Sequence, residues 1–158
     1  MPPGDHILKT VSATLATELL PNIESDHERL ALAFSVFLMG AVAEEFDRAA
    51  HRRIEENQAL RTIFSKALPV VEDQNLKNRL EKAVDRTEYD YRVAALDKLN
   101  CDLQEMLIDL HTHVETLEGD DARAIENAIW RELEEWTKRR EFATWDMAMA
   151  MLTVSAER

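Results

Sequence analysis

Residues 93–117 read VAALDKLNCDLQEMLIDLHTHVETL, and the spacing of their apolar side chains decides the fold. Val93, Asn100, Leu107 and Val114 stand seven residues apart, and Leu96, Leu103, Leu110 and Leu117 form a second seven-residue series between them. Two such interleaved series keep one seam along a single side of a helix, the a/d pattern of antiparallel bundles and coiled coils. Asn100 is the one polar member of the seam. A buried amide there lowers stability but fixes register; its other reading is an amide that lines a pocket.

The rest of the chain agrees with an all-α class. Three glycines and four prolines in 158 residues leave few turns for a sandwich or barrel, while 46% apolar residues suffice for one core. Asp5 can cap a first helix carrying Leu8, Val11, Leu15 and Leu19, which Pro21 ends. Ser25 and Glu28 have capping-box spacing and open a second helix running to about Glu56. Two short helices follow, one with Leu60, Ile63, Phe64 and Ala67 before Pro69, the other with Leu76, Leu80 and Val84. Thr87 and Asp90 cap the fifth helix, Gly119 ends it, and Asp120 or Asp121 caps a sixth with Ile125, Ile129, Leu133 and Trp136 inward. The expected architecture is a single-domain antiparallel helical bundle of about six helices, residues 1–158, with the second and fifth at its centre. Phe34, Phe37, Leu103 and Leu110 are its expected buried residues. Ala94, Cys101 and Ile108 give the fifth helix a second apolar face, and residues 143–158 form a docked apolar C-terminal segment.

Composition also narrows function. A formal charge of −12 repels phosphate backbones and anionic lipid, so neither nucleic acid nor a membrane is an expected partner. The longest apolar run, Leu30–Ala43, falls short of the roughly 20 residues needed to span a bilayer. One cysteine excludes an internal disulfide, and the opening MPPGDHILK lacks the basic-then-apolar pattern of a signal peptide, so a cytoplasmic setting is expected.

The candidate chemistry lies in two Asp-x-x-x-His pairs, Asp47 with His51 and Asp109 with His113. Ligands one turn apart share a helix face, so two pairs on two long helices could hold a metal inside a bundle. Solvated ion pairs at the same spacing explain them equally well. Cys101 has Asp97, Asp102 and Glu105 as neighbours, and negative charge raises a thiol pKa, which argues against a nucleophile. No cofactor is favoured, since the chain lacks a glycine-rich phosphate loop.

Three stretches, TVSATLATELLPNI, LRTIFSKALPVVEDQNLKNRLEKA and RVAALDKLNCDLQEMLIDLHTHVE, resemble a bacterial family of small all-helical proteins of unassigned function. Members of that family are often encoded near acyl-CoA dehydrogenases and small-molecule phosphotransferases. The resemblance covers about two thirds of the chain and implies an accessory role near acyl-CoA chemistry. The resulting expectation is a non-enzymatic accessory or regulatory protein that forms a homodimer and serves a partner enzyme. The alternative is a metal-dependent or small-molecule-binding bundle enzyme that uses Asp47, His51, Asp109 and His113.

Overall fold

A computed structural model of the chain describes residues 2–142. All regular structure among them is helical: α1 (Gly4–Thr14), a π-helical turn and a 3-10 turn through Asn22, α2 (Asp26–Ala67), α3 (Gln74–Asp85), α4 (Val93–Val114) and α5 (Asp120–Arg140). The expected docked segment, residues 143–158, lies outside the described residues. The backbone divides into two compact units, one of residues 2–49 with Glu141 and Phe142, the other Ala50–Arg140.

Among the described residues five α-helices stand where about six were expected, because the second and third merge into the 42-residue α2. Neither glycine nor proline falls between Ala41 and Leu68, and the polar run at residues 55–58 that resembled a break turns Glu56 and Asn57 into the interior. Pro69 then ends the helix, with the Val70 and Val71 amides donating to the Ala67 carbonyl. At its start, Ser25 Oγ accepts from the Glu28 amide and its carbonyl from Arg29, as the capping box implied. The Thr87–Asp90 cap is not used. Residues 86–92 are non-helical, Asp90 instead accepts from the Arg92 amide, and α4 begins at Val93. Gly119 precedes α5 with φ of +116°, a region open to glycine but strained for other residues.

In the unit Ala50–Arg140 the core joins Leu60, Ile63 and Phe64 of α2 to Leu76 and Leu80 of α3. Leu99, Leu103, Leu107, Leu110 and Val114 of α4, with Ile125 and Ile129 of α5, complete it. The seam read from the sequence is therefore the buried face of α4, apart from Val93 at its exposed end and half-buried Leu117. Where α2 and α4 touch, Arg53 meets Asp97 and Asn57 meets Asn100. Sequence numbers rise together along that contact.

Two burial expectations are corrected. Leu103 and Leu110 are buried, but Phe34 is exposed and Phe37 only half-buried. A helix apolar on all sides needs neighbours on all sides, and in its unit the first half of α2 has α1 as the sole other α-helix among the described residues. The second face of α4 is also open: Ala94, Cys101 and Ile108 are all exposed.

Candidate functional site

The most unusual chemistry of the described residues is a polar network inside the unit Ala50–Arg140. Extending the spacing of Leu60, Ile63, Phe64 and Ala67 one turn and two turns back along α2 lands on Glu56, Asn57, Arg53 and Arg52. These four share the inward face with the core below them, and Arg52, Glu56 and Asn57 are buried. From α4 the network receives Asp97, Asn100 and Gln104, one turn apart; from α5 it receives Glu132, Trp136, Arg139 and Arg140.

Glu56 is fully buried and held from two sides. Arg53 Nη1 donates to its Oε2 at 3.0 Å, and Arg140 Nε donates to its Oε1 at 3.3 Å. Arg53 also pairs with Asp97, and Arg139 with Glu132. Burial pulls the Arg53 guanidinium down, but the bonds and charges of Asp97 and Glu56 outweigh it and hold the group above its ordinary value. For Glu132 burial wins: the carboxyl is pushed above its usual range despite Arg139, with Glu135 and Glu56 adding repulsion. The Arg140 guanidinium lies over the Trp136 ring, 5.5 Å from its centroid.

Beside this charge cluster, Asn100 Nδ2 donates to Asn57 Oδ1 at 2.9 Å, and Gln104 donates to Asn100 Oδ1. Of the two readings of Asn100, register device and pocket amide, this geometry is that of the first, because both of its side-chain heavy atoms are engaged by neighbouring helices or its own. Neither Glu56 nor Asn57 was singled out by sequence reading. Both lie in the stretch taken for a break, and only the backward extension of the Leu60–Ala67 face signals them.

The four residues considered as metal ligands each have other surroundings. Asp47 is exposed on α2. His51 Nε2 lies 3.3 Å from Glu55, and Asp109 accepts from Arg79 at 2.8 Å. His113 Nε2 accepts the backbone N–H of Glu72 at 3.2 Å. No three His, Cys, Asp or Glu side chains are grouped so as to hold a metal ion among the described residues. No described helix is long and apolar enough to cross a membrane.

Both oxygens of Glu56 are engaged by arginines from two helices, an arrangement that clamps α2 to α5. No protein-family model matches the sequence, and neither a curated protein nor a solved structure matches it.

Proposed function

We propose that the chain is a non-enzymatic helical-bundle protein of the cytoplasm that self-associates and acts as an accessory or regulatory partner of an enzyme. Acyl-CoA metabolism is the setting that the family resemblance implies. The observation that carries self-association is the poverty of the interior of residues 2–49. Only Ala43 and Ala49 are buried there, while Ile7, Val11, Leu19, Leu30, Phe34, Leu38, Val42 and Phe46 face outward. That much clustered apolar side chain on a surface marks an interaction site. The polar network supports a scaffold rather than a catalyst, since its charges serve to join α2, α4 and α5.

We also infer an up-down-up-down arrangement of α2 to α5. Its support is the pairing of Arg140, at the end of α5, with Glu56 early in the unit, together with that of Arg79 on α3 with Asp109 on α4.

Light scattering and sedimentation of the full chain across a hundredfold concentration range test the proposal. A mass of twice 18.2 kDa is expected. A single-chain mass throughout removes the self-association on which the reading rests.

A further inference from the structure

The outward apolar residues of α2 form an ordered row. Leu30, Phe34, Leu38, Val42 and Phe46 are each four residues apart and are 58%, 58%, 46%, 54% and 63% exposed. Such a row is one ridge of a helix surface, about 24 Å long at 1.5 Å per residue. α1 lies along its flank without covering it: Ser12 Oγ donates to the Val36 carbonyl at 3.1 Å, and Gly4 sits against the Phe46 ring. A methyl group at residue 4 would come within 3.1 Å of that ring, so the glycine allows the close seat of α1 there. Phe37, packed 6.3 Å centroid to centroid from Phe34, supports the ridge from its less exposed side.

We infer that this ridge is where a second copy of the chain docks, the α2 of one copy crossing the α2 of the other near Leu38; the inference rests on the self-association proposed above. Three observations favour a second copy. The first is area. With about 150–200 Å² for each whole side chain of this size, the five residues expose roughly 500 Å² of apolar surface. A specific dimer buries about 800 Å² per partner, of which about 65% is apolar in homodimers, so Phe34, Leu38 and Val42 can form the centre of such an interface, with Leu30 and Phe46, about 160° apart around the helix, at its two edges.

The second is shape. Ridges built from every fourth residue fit into the grooves between identical ridges when two helices cross at about −50°. The row is therefore complementary to itself, and a twofold arrangement closes without leaving a free end. The third is charge. A chain of net charge −12 resists meeting its own copy, yet residues 30–43 are the longest run of the sequence without an acidic or basic side chain. The ridge lies almost wholly in that run. Asp26, Glu28 and Arg29 border it at one end, Glu45 and Asp47 at the other, so the carboxylates fall on the rim.

The test uses the full chain in four forms. Wild type is compared with Leu38→Glu, which places an unpaired charge at the crossing, and with Leu38→Cys in a Cys101→Ser background. Because Leu38 is exposed within the chain, the helical circular-dichroism signal should be unchanged in both variants. The dimer dissociation constant of Leu38→Glu should rise by about a hundredfold or more. Mild oxidation of Leu38→Cys should give a disulfide-linked dimer, since residues at a twofold crossing face their own copies. A dimer that survives Leu38→Glu with unchanged affinity would overturn this interface while leaving self-association intact. Wild type that stays a single chain would overturn both. A Leu38→Cys, Met149→Cys chain in the same Cys101→Ser background that closes an internal disulfide while remaining monomeric would also overturn the inference, and would assign the ridge to residues 143–158. Rapid thiol labelling of wild-type Cys101 without loss of the dimer supports the α2 ridge over the open face of α4; loss of the dimer on labelling counts against it.

Discussion

Asn100 on α4 donates its side-chain N–H to Oδ1 of Asn57 on α2 at 2.9 Å, with the two residues 2% and 0% exposed. Removing either amide leaves its partner's polar group buried without that bond. Asn100→Ala should cost about 1–3 kcal/mol, because the orphaned group retains its full desolvation penalty. The double change Asn57→Ala, Asn100→Ala should cost less than the sum of the two single changes to alanine, with a coupling of about 0.5–3 kcal/mol. Urea unfolding of the four proteins of the cycle measures this, and strictly additive losses would show that the amides act independently.

Glu56 should be more sensitive than any exposed carboxylate. Glu56→Gln leaves Arg53 and Arg140 facing a neutral group at a fully buried position. Breaking a buried pair from one side costs about 3–5 kcal/mol, whereas a solvent-screened surface pair such as Lys9 with Asp5 contributes little. Thermal or urea unfolding of Glu56→Gln beside Asp5→Asn gives the comparison; equal losses would mean that water reaches Glu56.

Two phenylalanines on the same helix should behave in opposite ways. Phe64 is fully buried and Phe34 is exposed within the chain. Phe64→Ala should lose about 3–5 kcal/mol in unfolding experiments. Phe34→Ala should leave the unfolding of the dissociated chain within about 0.5 kcal/mol of wild type, as surface changes do, and weaken self-association instead.

Asp90 provides a pH marker for the segment that leads into α4. The Arg92 guanidinium, helped by the Arg92 backbone N–H, lowers its carboxyl from 3.8 to about 2. A depressed acid stabilises the fold above its unfolded value, and that contribution fades as pH falls from 3.8 towards 2. An NMR titration should place the wild-type midpoint near 2 and move it back towards 3.8 in Arg92→Ala. An unmoved midpoint would remove Arg92 as the cause.

Zinc, iron or manganese added to untagged protein should leave the melting temperature where it is. Asp109 is taken by Arg79 and His113 by the Glu72 amide. An ion held only by the folded chain would add about 2.7 kcal/mol at 100 times its dissociation constant, which a thermal shift reads easily. A shift abolished by His113→Ala would reinstate the Asp/His ligand set.

The all-helical class, the buried face of α4 and the start of α2 at Ser25 were legible in the sequence, because each is a local matter. Helical periodicity, a capping hydroxyl and the scarcity of glycine and proline act within a few turns of chain, whatever the neighbours do. Leu103 and Leu110 are buried as their spacing required. What the tertiary structure decided is which polar residues go inside and which apolar ones stay outside. Glu56 and Asn57 resemble a surface break until Arg53, Arg140 and Asn100 come from other turns and other helices to satisfy them. The Leu30–Ala43 run resembles a core helix by hydropathy, yet hydropathy records only what a side chain would gain from burial. Whether another surface arrives to bury it depends on where the rest of the chain, or a second copy of it, is placed.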